Sequence, residues 1–304
     1  MHNTVDQTIR QIEQVLRGKN LAIRLALASF FAGGHVLLED LPGMGKTTLA
    51  AALARALGLD YKRVQFTSDM LPSDLLGATV FDQDSGSFHF HKGPVFTQLL
   101  LADEINRTTP KTQSALLEAM SEHHVSVDGQ SIELPQPFFV IATQNPITQF
   151  GTFPLPESQL DRFLVRIELG YPDARSERAL LQGTAGRQLL EQIQPTLAGE
   201  RLLQIQQQVD SVHVSEALLD YIQALVAWTR DSSELQYGIS PRGALALLKV
   251  SKAWAYMARR DFIIPEDVQA VLPSVFLHRL VHAANSASEA ATAIELMLRD
   301  VPVS

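Results

Sequence analysis

The stretch from Glu39 to Leu49 constrains the fold more than any other, because it reads Glu-Asp-Leu-Pro-Gly-Met-Gly-Lys-Thr-Thr-Leu. It follows an apolar run that ends at Leu38, and it opens an Ala- and Leu-rich run that predicts a helix over 47–57. Glycines between a strand and a helix let successive backbone N–H groups face one point, where the helix adds its positive end. The sequence therefore predicts a strand, a phosphate-binding loop and a helix.

The pattern G-x-x-x-x-G-K-[ST] is met at Gly45, Lys46 and Thr47, whereas Asp40 stands where the first Gly is expected. Lys46 is expected to reach the β- and γ-phosphates, and the Thr47 hydroxyl is expected to hold Mg²⁺. Since position 40 lies at the start of the loop, we expect binding to survive, with Asp40 modestly weakening the affinity or reorganising the loop. The alternative is a surface turn that contains Gly-Lys-Thr by chance. The residues predicted to contact a nucleotide are Pro42, Gly43, Met44, Gly45, Lys46, Thr47 and Thr48.

Composition limits the other classes of function. The chain has 304 residues, no Cys and a net charge of −8 at pH 7. The absence of Cys excludes disulfides, thiolate metal sites and Cys nucleophiles. The acidic balance opposes non-specific binding to phosphate backbones, so nucleic acid is not an expected partner. The longest apolar stretch, 21–32, is too short to span a membrane, and the first residues lack an export pattern, so we expect a soluble cytoplasmic protein without a membrane partner.

Apolar runs and turn residues predict alternating strands and helices in the first half of the chain, which favours an α/β fold with a parallel sheet flanked by helices. Two further segments, 78–92 and 124–135, have the alternation and turn residues of hairpins. From Arg175 onward the periodicity is helical throughout. We therefore predict a nucleotide-binding α/β domain over 1–175 and a small all-α domain over 185–304. The predicted strands are 36–38, 61–66, 99–102, 138–143 and 163–169.

Asp103 and Glu104 end the buried strand that begins at Leu99. Ligands of a parallel sheet bind at the carboxyl ends of its strands, so this pair is expected beside the phosphate loop. Asp103 would hold Mg²⁺, and Glu104 would polarise the attacking water. The adjacent carboxylates favour hydrolysis of ATP or GTP over phosphate transfer to a small molecule. The alternative is a solvated acidic strand end.

Asn145 follows the next predicted strand, and its amide could position the water or contact the γ-phosphate. An Asn-Pro turn without a catalytic role is the alternative.

Two arginines are candidates for phosphate contacts. Arg162 precedes the fifth strand, where it could lie on the surface and reach a phosphate held by a neighbouring subunit. A salt bridge to Asp161 or Glu157 is the alternative, and spacing alone does not separate the two. Arg242 follows Ser240 and a proline, which predict a helix start with Ser240 as its cap. An Arg in the first turn suits a phosphate partner, and a surface Arg is the alternative.

Taken together, these motifs resemble the AAA+ ATPases, and within them the MoxR family. The resemblance covers nearly the whole chain. The matching motifs are Gly-Gly-His-Val-Leu-Leu-Glu-Asp-Leu-Pro-Gly-Met-Gly-Lys-Thr (33–47), Leu-Leu-Ala-Asp-Glu-Ile-Asn-Arg (100–107), Ala-Thr-Gln-Asn-Pro (142–146), Phe-Pro-Leu-Pro-Glu-Ser-Gln-Leu-Asp-Arg-Phe (153–163) and Gly-Ile-Ser-Pro-Arg-Gly (238–243).

The resemblance implies the P-loop NTPase (AAA+) fold, an α/β domain followed by a helical lid. By it, Lys46 and Thr47 belong to Walker A, and Asp103 and Glu104 to Walker B. Asn145, Arg162 and Arg242 are expected to be the sensor 1 residue, the arginine finger and the sensor 2 residue. The two hairpins resemble insertions that line the central pore of related rings.

The family also implies partners. Its members form rings, usually hexamers, that bind ATP and Mg²⁺ between subunits and act as chaperone-like remodellers or activators of client proteins. Such clients often carry von Willebrand factor A domains, and some family members insert metal cofactors. We therefore predict a Mg²⁺-dependent ATP hydrolase that remodels proteins. The alternatives are a nucleic-acid remodelling motor, a metal-chelatase ATPase subunit and a non-enzymatic, nucleotide-gated module.

Overall fold

A computed structural model describes residues 2–145, 151–182, 187–197, 199–280, 283–284 and 286–303. The strands among these residues are β1 (His35–Glu39), β2 (Tyr61–Gln65), β3 (Gly77–Asp82), β4 (Ser87–Lys92), β5 (Leu99–Asp103), β6 (His124–Val127), β7 (Gln130–Glu133), β8 (Phe139–Gln144) and β9 (Phe163–Ile167). The helices are α1 (His2–Val15), α2 (Asn20–Phe31), α3 (Lys46–Ala56), α4 (Pro72–Leu76), α5 (Pro110–Glu122), α6 (Glu157–Leu160), α7 (Ala174–Leu181), α8 (Arg187–Gln192), α9 (Gly199–Asp210), α10 (Glu216–Asp231), α11 (Pro241–Met257), α12 (Pro265–Leu280) and α13 (Ala287–Asp300).

Five strands form one parallel sheet in the order β2-β5-β8-β1-β9. The central strands β1, β5 and β8 are apolar along most of their length and are buried, because helices cover both faces of the sheet. The prediction of a parallel sheet flanked by helices is therefore confirmed. The carboxyl ends of β1, β5 and β8 are neighbours, which brings the residues that follow them to one edge.

The two predicted hairpins also form, as β3–β4 and β6–β7. Asp128 and Gly129, between β6 and β7, have φ values of 50° and 78°. Positive φ at both central positions is the requirement of the tight turn that matches strand twist, and an Asp-Gly pair meets it at low cost. The hairpins therefore follow from local turn chemistry.

The helices after β9 share a core with the sheet. Apolar side chains of α9, α10, α11 and α12 pack in one cluster with those of α1, α2, α3 and one face of the sheet. Phe30 of α2 stacks on Phe139 of β8, with ring centroids 4.3 Å apart. The helical part therefore rests on α2 and β9 as a continuation of the core. The domain limits at 175 and 185 stay a prediction.

None of the helices in the described ranges combines the length and the apolar character needed to cross a bilayer.

Candidate functional site

The loop between β1 and α3 has the backbone that its glycines predict. Gly43 and Gly45 have φ values of 84° and 96°, a conformation that side-chain-bearing residues rarely adopt. A Cβ at Gly43 would meet no atom within 4 Å, so backbone conformation, and not lack of space, is what requires Gly there. Pro42 and Met44 complete the turn, and Lys46, Thr47 and Thr48 form the first turn of α3. The residues predicted to contact a nucleotide thus surround the start of a helix.

Lys46 is 8% exposed and is held by neutral oxygens. Its Nζ donates to the Asp40 carbonyl at 2.6 Å and to Asn145 Oδ1 at 2.9 Å. Burial lowers the pKa of Lys46, while the carboxylates of Asp40, Asp103 and Glu104 oppose that change. Neutral acceptors leave the ammonium charge uncompensated by a direct ion pair, so an anionic phosphate could replace them.

Asp103 is fixed from both sides at the end of β5. Its Oδ1 accepts a hydrogen bond from Thr143 Oγ1 at 2.6 Å, and its Oδ2 accepts one from Arg63 Nη2 at 2.7 Å. The Thr143 hydroxyl also accepts the Glu104 N–H at 2.9 Å. Thr143 therefore holds Asp103 and Glu104 in register. The sequence interpretation missed this threonine, although it lies in the quoted 142–146 motif.

Glu104 has φ of 58°, which turns the chain sharply after β5. Its Oε2 accepts hydrogen bonds from Gln65 Nε2 at 2.9 Å and from Arg107 at 3.1 Å. Its Oε1 lies 3.4 Å from Asn145 Nδ2. The Asn145 amide therefore spans the distance between the Lys46 ammonium and the Glu104 carboxylate. Three segments that are distant in sequence meet here, as the strand-end argument predicts.

Asp40 has a structural role that the sequence did not indicate. Its Oδ1 accepts the N–H of Leu41 at 2.8 Å, and its Oδ2 accepts those of Leu169 and Gly170 at 2.7 and 2.6 Å. The carboxylate thus faces the segment after β9. Leu169 and Gly170 are about 130 positions away, so no local signal could reveal these two partners.

An apolar pocket adjoins the loop, between the end of α1 and the start of α7. The sequence interpretation missed it, because its lining residues come from three segments that are far apart in the sequence. The pocket is lined by Val15, Leu16, Arg17, Lys19, Gly43, Met44, Gly45, Thr48, Pro172 and Ser176.

Arg162 lies against α5 and away from the loop. Its guanidinium donates to the Leu117 carbonyl at 3.0 Å and to Ser121 Oγ. Asp161, the neighbour that could have paired with it, binds Arg279 instead, with Nε and Oδ1 2.6 Å apart. The Asp161 half of the salt-bridge alternative is therefore wrong, and a pairing with Glu157 stays a prediction. Arg162 borders an open surface depression that is lined by Ser114, Leu117, Glu118, Glu122, His124 and Gln159.

Arg242 lies on the same side of the molecule as Asp161. Ser240 caps α11 as predicted, since its Oγ accepts the Gly243 N–H at 3.1 Å, and it also donates to Asp161 Oδ2 at 3.2 Å. Arg279 packs beside Gly243, where a Cβ would come within 3.1 Å of its Cδ. Arg242 is exposed, and its charge helps to lower the pKa of buried Arg279, after the larger effect of burial. Arg242 thus affects the pKa of Arg279, whereas the charged groups that affect the pKa of Lys46 are carboxylates.

We call the group formed by Lys46, Asp103, Glu104 and Asn145, beside the phosphate loop, the loop edge. The fold and the loop edge together define a class of proteins, the P-loop nucleotide-binding proteins with a helical lid. Comparison with protein families agrees. A model described as "ATPase family associated with various cellular activities (AAA)" matches residues 35–165, and a model described as "AAA lid domain" matches residues 227–296. The first match spans Lys46, Asp103, Glu104, Asn145 and Arg162.

Individual relatives narrow the class. The chain is 44% identical to the uncharacterized protein YeaC of Bacillus subtilis, over 92% of this chain and 88% of that protein. It is 38% identical to the chaperone MoxR1 of Mycobacterium tuberculosis, over 92% of this chain and 76% of that protein. A crystal structure of a candidate ATPase from Cytophaga hutchinsonii superposes with a TM-score of 0.90 at 38% identity, covering 100% of this chain and 96% of that one. The chain therefore belongs to the MoxR family of AAA+ ATPases.

Proposed function

We propose that the protein binds ATP with Mg²⁺, hydrolyses it, and uses the cycle to remodel client proteins. The observation that carries this proposal is the Asn145 amide, which is hydrogen bonded to Lys46 and lies 3.4 Å from a Glu104 oxygen. A phosphate bound by Lys46 and a water beside Glu104 would then be neighbours across one side chain. Hydrolysis requires the attacking water and the phosphate to be held close together in this way.

The residues at the loop edge fit ATP. The curled backbone around Gly43 and Gly45 precedes a helix start, which supplies N–H donors and a positive helix end for phosphates. Lys46 adds a buried ammonium. The apolar pocket beside Met44 and Pro172 suits the flat, largely apolar base.

Thr47 and Asp103 fit Mg²⁺, because a hydroxyl and a carboxylate are hard oxygen ligands. Bound there, the ion would neutralise charge on the β- and γ-phosphate oxygens. Glu104 would accept a proton from water, and the Asn145 amide would orient that water toward the phosphate. Arg107 and Gln65 hold one Glu104 oxygen, so we assign this role to the other, Oε1, which lies 3.4 Å from the Asn145 amide nitrogen.

The arginines support a site that two copies of the chain complete together. Arg162 and Arg242 lie by Asp161 and α5, and each contact described for them is made away from Lys46. In a closed ring, a head-to-tail contact would bring this face of one copy to the loop edge of the next. We infer that both arginines stabilise charge on the neighbour's nucleotide, and we expect six copies in the ring.

The client is expected to be a protein. The name of the M. tuberculosis relative supports a chaperone role. The β3–β4 hairpin also exposes Phe81 and Phe88, which are 49% and 71% exposed and whose rings contact each other. Such a tip suits contact with another protein. Clients with a von Willebrand factor A domain, or enzymes that require a metal cofactor, are the ones to test first.

A Glu104→Gln variant tests the proposal. Without the base, kcat for ATP should fall by about 10²–10⁴-fold, while ATP affinity is retained. The wild-type activity should also require Mg²⁺. Glu216→Gln, which removes an exposed carboxylate at the start of α10, is the matched control and should behave as wild type.

Normal turnover by Glu104→Gln would remove Glu104 as the base. The same variant, loaded with ATP, should retain a tagged client with a von Willebrand factor A domain longer than the wild type does. Equal retention with and without ATP would contradict a nucleotide-driven client cycle.

A further inference from the structure

Residues 169–173, which belong to the segment between β9 and α7, are held on both sides of their backbone. We refer to these residues as the strap. Asp40 Oδ2 accepts the N–H groups of Leu169 and Gly170 at 2.7 and 2.6 Å. Lys19 Nζ donates to the carbonyls of Leu169, Gly170 and Tyr171 at 2.6, 2.9 and 2.7 Å. Charged groups thus take up the hydrogen-bonding capacity that a sheet partner would otherwise satisfy, and charge-assisted bonds of this kind are strong.

The strap leads directly into one wall of the apolar pocket beside the phosphate loop. Pro172 and Ser176 line that wall, and the lining also includes Leu16, just after α1, and Met44 of the loop. Asp173 fixes the wall further, because its carboxylate accepts the N–H of Ser176 at 2.7 Å. One residue of the strap, Pro172, therefore forms part of the pocket lining, and the strap's other residues hold it in place from the β9 side.

Asp40 contacts the phosphate end of the site at the same time. Its backbone carbonyl accepts the hydrogen bond from Lys46 at 2.6 Å, while its side chain holds the strap. Its Oδ1 accepts the N–H of Leu41, which fixes the orientation of the carboxylate. One residue thus joins the phosphate loop to the strap. A Gly at position 40, as in the general loop pattern, would provide the backbone carbonyl that binds Lys46. It would lack the carboxylate that binds the strap, a contact that we call the clamp.

We propose that Asp40 is a positioning residue that holds the strap as the wall of the base-binding pocket, and so sets the affinity for the base and ribose of the nucleotide. This inference rests on the proposed function, since it assigns the pocket to the base of ATP. It separates two contributions to affinity. Lys46 and the loop backbone bind the phosphates, and Asp40, through the strap, shapes the site for the remainder of the nucleotide.

The test compares ATP with inorganic tripolyphosphate, which has phosphates but no base. Each would compete, in the presence of Mg²⁺, with a fluorescent ATP analogue on the full-length protein. Asp40→Ala should weaken ATP by about tenfold or more and leave tripolyphosphate within about twofold, because the clamp is lost and the loop is kept. In steady-state turnover, KM for ATP should rise while kcat changes by less than about twofold.

Asp40→Asn is the conservative variant and should be intermediate. Its Oδ1 can still accept from the strap amides, but its NH₂ group cannot accept from Leu41. Asp220→Ala, which removes an exposed aspartate from α10, is the matched control. Hydrogen exchange adds a readout that needs no ligand. The amides of Leu169 and Gly170 should exchange faster in Asp40→Ala, while those of β8 should not.

An equal loss for ATP and tripolyphosphate would overturn the proposal, because Asp40 would then act on the phosphate loop. Unchanged ATP affinity and unchanged exchange at Leu169 and Gly170 would also overturn it. If tripolyphosphate does not displace the fluorescent analogue even from the wild type, the kinetic constants decide. A raised KM with unchanged kcat in Asp40→Ala supports the proposal, and a lowered kcat with unchanged KM overturns it. If Asp40→Ala does not fold, Asp40→Asn carries the same comparison. Lys46→Ala distinguishes the two levels of inference, since ATP binding that survives in it would contradict the proposed function itself.

Discussion

Two regions of the molecule hold the polar residues expected to act on a nucleotide, and they are built differently. At the loop edge, Lys46, Asp103, Glu104 and Asn145 come from separate segments and are linked within the chain, directly or through Thr143. At the arginine face, by which we mean Arg162, Arg242 and the Asp161–Arg279 pair between them, the guanidinium groups of Arg162 and Arg279 bind carbonyls and Asp161.

The difference indicates how the work is divided. The loop edge is ordered by its own network, as a site that acts within one chain would be. On the arginine face, the most buried guanidinium belongs to Arg279, whose side chain is 5% exposed and paired with Asp161. Arg162 is only partly buried and Arg242 is exposed. A buried arginine holds the face together, and the proposed function assigns the two more accessible ones to a phosphate held by another copy of the chain.

Removal of Arg162 should have the largest effect, because it should lower ATP turnover without changing ATP binding at the loop edge. Arg162→Ala should lower kcat for ATP by about 10³–10⁵-fold, because an arginine that stabilises the transition-state charge contributes that much in related reactions. ATP affinity should stay within a few-fold, since the loop edge is unchanged. The measurement is steady-state turnover together with equilibrium binding of a fluorescent ATP analogue.

Arg299→Ala is the control for Arg162→Ala, because Arg299 is exposed and its partner is the adjacent Asp300. If Arg162→Ala kept wild-type turnover, the arginine would have no catalytic role. If it lost ATP binding as severely as Lys46→Ala does, the two regions would not be separable.

The loop edge and the arginine face also differ in how well they could be predicted from the sequence. The strands, both hairpins and the convergence at the loop edge were predictable, because apolar runs, Asp-Gly turns and strand ends are local signals with a fixed geometric consequence. Asn145 and Glu104 could be placed together without knowing any distance.

The arginine face was much less predictable. Spacing left open whether Arg162 contacts a phosphate or pairs with Asp161 or Glu157. In the structure Asp161 binds Arg279 of α12, 118 positions away. Nothing in the sequence indicated that Arg279 pairs with Asp161, since an Arg near the end of a helix is usually explained by the helix dipole. The clamp between Asp40 and the strap could not be predicted either, because its partners, Leu169 and Gly170, are distant in the sequence. Partner choice at these positions is set by tertiary packing.

Stability measurements should sharpen the contrast between the buried and exposed arginines. Arg279→Ala should lower the free energy of unfolding by about 3–5 kcal/mol, because it leaves the Asp161 carboxylate without its buried partner. Arg242→Ala, at the same junction but exposed, should change it by less than about 0.5 kcal/mol while reducing ATP turnover. Urea titration followed by fluorescence of the two tryptophans measures both.

Equal destabilisation by the two substitutions would contradict the division into a structural and a functional arginine. An Asp161→Asn variant adds a check. It should lose less stability than Arg279→Ala, since an amide can still accept from Arg279.

A smaller effect concerns His35, which lies between the two regions. It is on β1, which leads into the loop, and its Nε2–H donates to the Met120 carbonyl of α5, the helix that holds Arg162. Its Nδ1 accepts the N–H of Val140, so the ring is neutral. Burial, with a further contribution from His123, lowers the pKa of His35 to about 4, against the opposing effect of the Met120 carbonyl.

Because this pKa lies below the ordinary value of 6.5, the contribution of His35 to stability is complete above pH 6.5 and is lost as the pH falls from 6.5 toward 4. The full loss would be about 3 kcal/mol. Urea midpoints at pH 7.5 and 4.5 measure it. His35→Gln should lose less stability than the wild type over that interval, and an equal loss would show that His35 does not titrate in this way.

The most direct test of a site completed by two copies is to mix two inactive variants. Lys46→Ala inactivates the loop edge and leaves the arginine face intact. Arg162→Ala does the reverse, so each variant keeps the half-site that the other lacks. In a randomly mixed ring at equal amounts, about a quarter of the interfaces would combine both intact halves. ATP turnover of the mixture should therefore exceed that of either variant alone and peak near equal proportions. Turnover that stays at the level of the separate variants at every mixing ratio would contradict the account.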